Sequence, residues 1–365
     1  MNTSYVLDFE DVMVDVTSHF KKIDTNQYRT TGLTPIVDQS ANDFCGYTDI
    51  QPEVASISPP YIIFGDHTRR FKFVDVDFVL GADGTKVLKT KIDADHKYLF
   101  HFFKSIKLEE AGYSRHYKFL KRTKLFVPPL AEQQRIAALL DTADHILKQR
   151  ESAIAKLDQL AQSVFSQIFI DAKHSVAIKK LSEICDVRDG THDSPKYLNE
   201  GIPLITSKNL TRGFIDFSNV NLISSNDFFE INKRSKVDCG DILMPMIGTI
   251  GNPVIVKDKN PNFAIKNVAL IKQTPNSPNS IYLKAVLEGA TFKSYIEKIS
   301  RGGTQKFLGL GDIRKFEISI VNKKIEEEFV SFINKLNNMR DLYVISALKQ
   351  KEMLVSLQHQ SFTVN

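Results

Sequence analysis

The sequence predicts an α+β protein: two mixed α/β modules, each followed by a long helix, the two helices pairing antiparallel as a coiled coil. Three observations carry this. Two long segments, from about Ala131 to Ala172 and from about Lys323 to the C-terminus, contain neither Gly nor Pro. They align without a gap at a fixed offset of 193 residues. What precedes the first recurs, in the same order, before the second. The chain is 365 residues long, beyond the usual size of one domain. It divides into a first module (1–127), a first helix (128–173), a second module (174–321) and a second helix (322–365).

The first module contains Gly32-Leu33-Thr34-Pro35-Ile36-Val37, which resembles Gly201-Ile202-Pro203-Leu204-Ile205 near the start of the second. The apolar strand Ile62 to Phe64 has its partner in Ile242 to Met244. Tyr98, Leu99, Phe102, Phe103 and Ile106 are spaced as one face of a short amphipathic helix, as are Tyr282, Leu283, Val286 and Leu287. A loop with Gly, Arg and a shared Lys-Phe-Leu follows, Gly112 to Leu120 in one copy and Arg301 to Leu308 in the other. An apolar strand closes each module, Leu125 to Val127 and Ile318 to Ile320.

Then come the long helices. Pro128 and Pro129 suit a helix start, where a missing N–H costs nothing. Ile136, Leu139, Leu140, Ala143, Ile146, Leu147, Ile154, Leu157, Leu160, Val164 and Ile168 recur in steps of three and four. So do Ile325, Phe329, Phe332, Ile333, Leu336, Met339, Tyr343, Ala347, Leu354 and Leu357. Steps averaging near 3.5 make a coiled-coil seam. At the fixed offset Ile136 matches Phe329, Lys156 matches Lys349, Ser163 matches Ser356, Gln167 matches Gln360 and Phe169 matches Phe362. At about 1.5 Å per residue each helix would be about 60 Å long. Parallel packing would oblige the second module to carry the chain back over that length, whereas antiparallel packing needs no such span. The expected result is a module at each end of a rod, related by a rough two-fold axis.

Composition narrows the function classes. Apolar residues make up 42% and charged residues 25%, as in an ordinary globular protein. Lys and Arg number 48 against 43 Asp and Glu, a formal charge of +5 that permits a polyanionic partner without demanding one. Cys45, Cys185 and Cys239 are far apart and odd in number, which argues against a disulfide framework and against structural zinc. No metal site is expected. Met1 to Glu10 lacks a basic-then-apolar leader pattern, and no run of about 18 apolar residues could span a bilayer. A cytoplasmic location without membrane attachment is the expectation.

Two short motifs raise the possibility of catalysis. Ser58-Pro59-Pro60-Tyr61 matches the motif with which amino-methyltransferases grip a target amino group, and Phe307-Leu308-Gly309-Leu310-Gly311 matches their cofactor turn. Such a turn should follow a buried strand and open a helix. Here Arg301 to Lys306 precedes it and the alternating Phe316, Ile318, Ile320 follows, so it reads as a loop insertion. There is no G-x-x-x-x-G-K-[ST] phosphate cradle. Asp66-His67-Thr68 lacks a nucleophile elbow. No catalytic residue is assigned. The alternatives are a self-contained DNA amino-methyltransferase and an adaptor whose coiled coil assembles other proteins.

The run Val127-Pro128-Pro129-Leu130-Ala131-Glu132-Gln133-Gln134-Arg135-Ile136-Ala137-Ala138-Leu139-Leu140-Asp141 resembles the start of the central spacer helix in specificity subunits of type I restriction-modification systems. The surrounding repeat resembles their two target-recognition domains and two spacer helices. Further likenesses lie in Phe64-Gly65-Asp66-His67-Thr68, Gly81 to Lys86, and Asp189-Gly190-Thr191-His192-Asp193-Ser194-Pro195. The second helix departs from the pattern: it begins Val321-Asn322-Lys323-Lys324-Ile325-Glu326-Glu327, without the Pro-Pro-Leu-Ala-Glu-Gln run. The resemblance implies a non-catalytic subunit that reads a bipartite, asymmetric target in double-stranded DNA. It also implies two adenine-methyltransferase subunits and restriction subunits as partners. S-adenosylmethionine and ATP with Mg would be bound by those partners, and no cofactor by this chain.

Duplex recognition needs cations on phosphates and polar side chains on base edges. Loops that put such residues beside Gly and aromatics are the natural candidates. In the first module these are Asp66, His67, Thr68, Arg69, Arg70, Lys86, Arg115, His116, Tyr117 and Lys118. In the second they are Thr191, His192, Lys196, Ser207, Lys208, Asn209, Arg301, Thr304, Gln305 and Lys306. Phe71, Phe73, Phe119 and Phe307 are expected in the core.

Overall fold

The structure is a computed structural model that describes residues 4–52, 58–81, 83–109, 115–170, 175–211, 213–248, 250–299 and 307–362. It divides into two compact units, Met1–Ser152 with Tyr343–Asn365, and Ala153–Leu342. Each unit therefore holds one module and a part of both long helices.

In the first unit, β1 (Tyr5–Asp8), α1 (Phe9–Val12) and β2 (Met13–Asp15) lead into β3 (Thr34–Val37) and β4 (Gly46–Thr48). Next come β5 (Tyr61–Gly65), β6 (Phe71–Val74), β7 (Val79–Leu80) and β8 (Thr85–Thr90). α2 (His96–Ser105), α3 (Tyr117–Leu120) and β9 (Lys124–Val127) complete the module, and α4 (Leu130–Ile170) leaves it. The sheets run β2-β8-β5-β6, β4-β3-β7 and β1-β9. β5 is buried throughout because both its faces are covered. Ile62 and Phe64 pack with α2 and the start of α4, while Tyr61 and Ile63 pack with Val37, Phe78 and Leu80. A strand buried on both sides must be apolar without alternation, and Tyr-Ile-Ile-Phe is. α2 starts where the Asp95 carboxylate accepts the Tyr98 N–H at 2.7 Å, and it buries Tyr98, Leu99, Phe102 and Phe103 along one face.

The second unit repeats this plan. Its elements are β10 (Ser175–Lys180), α5 (Leu181–Ile184), β11 (Asp186–Asp189), β12 (Ile202–Ile205), β13 (Leu210–Thr211), β14 (Phe214–Ile215) and β15 (Asn221–Ile223). After α6 (Ser225–Ser235) follow β16 (Ile242–Pro245), β17 (Val254–Ile255), β18 (Ala264–Ile265) and β19 (Val268–Lys272). Then come α7 (Ser280–Glu288), α8 (Ala290–Ile299), α9 (Leu310–Lys315), β20 (Glu317–Val321) and α10 (Lys323–Phe362). The sheets run β11-β19-β16-β17, β15-β12-β18 and β10-β20, the orders of the first unit strand for strand. β13 with β14, α6 and α8 have no counterpart among the described residues of the first unit. β5 and β16 occupy the same sheet position, as do β3 and β12, so the strand pairings read from the sequence hold.

The long helices pack together within each unit. In the first, Ile136, Leu140 and Ala143 of α4 share a core with Leu354, Leu357 and Phe362 of α10. In the second, Val164, Phe165 and Ile168 of α4 share a core with Ile325, Phe329 and Ile333 of α10. The beginning of one helix meets the end of the other in both, so they run antiparallel. Arg150 lies over the Tyr343 ring in the first unit, and Arg340 Nε donates to Asp158 at 3.0 Å in the second.

The offset of 193 has a physical content. Tyr98 Oη donates to the Phe126 carbonyl at 2.6 Å and Tyr282 Oη to the Ser319 carbonyl at 3.0 Å, each tying a module helix to its closing strand. Gln133 Oε1 accepts the Asp95 N–H and Glu326 Oε1 the Asn279 N–H, both at 2.9 Å, so each long helix grips the N-terminus of a module helix. Phe126 and Ser319, like Gln133 and Glu326, are 193 apart. One register differs from expectation. The two Lys-Phe-Leu runs are not equivalent: Leu120, in α3, matches Ile313, in α9, both fully buried at that offset. Phe307 and Leu308 precede α9 instead, and Phe307 is half exposed, not core. A shared tripeptide is weaker than the requirement that a core residue face inward four positions before the closing strand.

Candidate nucleic-acid interface

Strand direction gathers loops at one edge of each module. In the second, β11 and β16 both run antiparallel to β19, so both end where β19 begins. β12 and β18 run parallel and end together. The Thr191 N–H donates to the Ile265 carbonyl at 3.1 Å, the Lys266 N–H to Ile205 at 2.9 Å, and Ser207 Oγ to Asn267 at 3.4 Å. The Leu308 N–H donates to Met246 at 2.9 Å. The segments around 191, 207, 247, 266 and 308 are therefore neighbours. Gly190 permits the closest approach, since a Cβ there would lie 2.3 Å from the Ile265 carbonyl oxygen.

The first module builds the same edge around Gln39. Its side-chain oxygen accepts the His67 N–H at 3.2 Å, its amide donates to the Asp83 carbonyl at 3.0 Å, and its own carbonyl accepts Thr68 Oγ1 at 3.0 Å. Asp66 joins a further loop: its carboxylate accepts the Tyr117 N–H at 2.7 Å and its carbonyl accepts the His116 N–H and ring Nδ1. Asp66 and His116 are buried and hold the edge together. Lys86 Nζ pairs with Asp15 at 2.7 Å and lies 5.0 Å from the centre of the Tyr117 ring. Burial pushes the Tyr117 phenol far above its usual range. His67, Thr68, Arg70, Arg115 and Lys118 are exposed, and Arg69 half so, with a left-handed φ of 57°. Phe71 and Phe119 are only partly buried, and Phe71 stacks on Phe103.

In the second module Asp189 is a buried carboxylate at the end of β11. It accepts His192 Nε2 at 2.9 Å and also the guanidinium of Arg234, from the last turn of α6. His192 Nδ1 meets Asn267 Oδ1 at 2.8 Å. With an acceptor at each ring nitrogen the imidazolium is favoured, so the Asn267 bond and then the Asp189 bond raise its pKa above 6.5. Asn209 is buried: it accepts the Thr206 N–H and Oγ1, and donates to the Asp216 and Asn219 carbonyls. Its hydrogen-bonding capacity is spent on shaping the loop. Thr191 and Ser207 are half-buried, while Lys196 and Lys208 are exposed. Arg301, Thr304, Gln305 and Lys306 lie outside the described residues.

Sequence reading missed Gln39 and Arg234, which become visible only once distant loops meet. It also missed the turn between β16 and β17, the counterpart of the 65–70 turn. Its Gly248 and Gly251, both at positive φ, were the available signal.

Among the described residues the methyltransferase motifs do not form a site in either unit. Tyr61 is 1% exposed, edge-on to Phe20 and Phe78, and Lys89 Nζ caps the Ser58 and Pro60 carbonyls. Gly309 does open a helix, the six-residue α9, which corrects the reading of this turn as a loop insertion. Among the described residues no cluster of three His, Cys, Asp or Glu side chains could hold a metal, and no helix is long and apolar enough to cross a membrane.

Comparison with known proteins agrees with this architecture. The chain resembles the specificity subunit of the type I restriction enzyme EcoBI from Escherichia coli, with 26% identity over 251 residues, 60% of this chain and 52% of that protein. It thus spans about half the length of this curated relative. Its fold is that of the type I restriction-modification S subunit from M. genitalium, at TM-score 0.64 and 14% identity over 100% of this chain and 97% of the other. A chain from a structure on complex assembly and conformational transition of the type I R-M system gives 0.55 and 13% over 98% and 97%. The family model for the type I restriction modification DNA specificity domain matches twice, at residues 21–156 and 174–347. With most of its length matched by that model, the chain belongs to the type I restriction-modification DNA specificity family.

Proposed function

We propose that the chain reads a bipartite, asymmetric sequence in duplex DNA, one part with each module, and positions partner enzymes on it without itself catalysing a reaction. The observation that carries this is the loop edge, built twice from one topology and joined by paired helices. A protein that contacts two separated stretches of duplex needs two readers, and this chain carries two of one plan. The partners are two adenine-methyltransferase subunits, which bind S-adenosylmethionine, and restriction subunits, which use ATP and Mg. The setting is the cytoplasm. We assign phosphate contacts to Arg70, Arg115, Lys118, Lys196 and Lys208, which are exposed, and base-edge contacts to His67, Thr68, Thr191 and Ser207 of the same loops. Each phosphate contact should make the slope of log affinity against log salt more negative by about 0.9.

The test is methyl transfer from labelled S-adenosylmethionine to a library of random duplexes, with the chain alone and with its methyltransferase subunits. The proposal expects incorporation only in the complex, on duplexes sharing one split motif. Incorporation by the chain alone would favour a self-contained methyltransferase, and incorporation without sequence preference would favour a mere adaptor.

A further inference from the structure

Asp189 is the only carboxylate among the described residues of the candidate loops that is buried and holds two cationic side chains at once. Its side chain is 6% exposed, whereas those of Arg234 and His192 are 65% and 58% exposed. Both ring nitrogens of His192 are engaged, with Asp189 and with Asn267, so this ring has no N–H left for a ligand. Arg234 differs. One terminal nitrogen donates to Asp189, and the rest of the guanidinium projects outward with its other N–H groups open. The Arg234 backbone is fixed too, its carbonyl accepting Arg188 Nη1 at 2.7 Å.

We propose that Arg234 is a specificity-determining residue of the second module, a guanidinium pre-oriented by Asp189 to bond the O6 and N7 edge of a guanine. This rests on the reading of the loop edge as a duplex-DNA surface. A base edge suits this arrangement better than a phosphate does. An adjacent carboxylate offsets the positive charge on which phosphate attraction depends, while it fixes the plane of the fork on which paired hydrogen bonds to guanine depend. His192 is a positioning residue: it occupies the second oxygen of Asp189 and leaves the first to Arg234. α6, which carries Arg234, has no counterpart among the described residues of the first module.

The experiment is methylation of a random-duplex library by the complex of full-length chain and methyltransferase subunits, comparing wild type with Arg234→Ala, Arg234→Gln and His192→Gln. Arg234 is exposed but partners the buried Asp189, so its variants should melt somewhat below wild type, and circular dichroism checks that they are folded before the motif is read. Both should lose discrimination for guanine at one position in one part of the motif, by about 5- to 150-fold, with the other part unchanged. His192→Gln should weaken the same position and no other. Equal weakening on every sequence would make Arg234 a phosphate contact, and an unchanged motif would give it no role; either overturns the proposal. A wild-type complex with no split motif would instead overturn the reading of the edge.

Discussion

Replacing Gln133 with Ala tests why the Ala-Glu-Gln-Gln run stands at the head of the first long helix. Gln133 is 2% exposed. It accepts the Asp95 N–H at 2.9 Å and donates Nε2 to the Pro128 carbonyl at 2.7 Å, joining α2, the end of β9 and the start of α4. Truncation leaves two backbone groups without partners, each costing about 1–3 kcal/mol when buried. The Asp95 site is only partly buried and can recruit water, so the sum should fall near 2–4 kcal/mol. Glu326 holds one such bond, to the Asn279 N–H, and a salt bridge to the exposed Lys323 worth under about 1 kcal/mol. Glu326→Ala should therefore cost about 1–3 kcal/mol, and Glu326→Gln, which keeps the acceptor, under about 1 kcal/mol. Urea unfolding of the full-length chain, followed by circular dichroism, measures all three, with the slope m unchanged. A Gln133→Ala loss below about 0.5 kcal/mol, a surface-like value, would refute the assignment of the motif to this clamp.

Other outcomes follow from the same geometry. Tyr98→Phe and Tyr282→Phe each remove one hydrogen bond to a closing strand and should cost about 1 kcal/mol, lowering the melting temperature of the affected unit by about 2–4 °C. Gly190→Ala forces a methyl against the Ile265 carbonyl and should cost about 1–3 kcal/mol; unaltered melting would place that backbone differently. His192 should titrate above 6.5, because its folded pKa is raised. Its stabilisation is then complete below the unfolded value and fades as pH rises through the folded one. Imidazole NMR measures this, and an unshifted His192 would contradict the paired acceptors.

Much of the fold was legible because burial imposes periodicity. The long helices repeat apolar residues through many turns, and β5 and β16 are apolar without interruption because both faces are covered. The repeat offset was legible where the core constrains it, at Ile136 with Phe329. It failed at Lys-Phe-Leu, where three matching residues said nothing about which faced inward. The loop edge was legible as groups of residues and not as roles. Asp66 and His67 are adjacent, yet one is buried holding the Tyr117 N–H and the other is exposed. Arg234 carries no local signal; only its meeting with Asp189 singles it out.

Mapping methylated adenines in the source genome, with this gene intact and deleted, tests the central claim most directly. Two readers on one chain predict a single motif of two short specified parts around an unspecified gap, lost entirely on deletion. A continuous motif that depends on the gene, or methylation indifferent to its deletion, would contradict the claim.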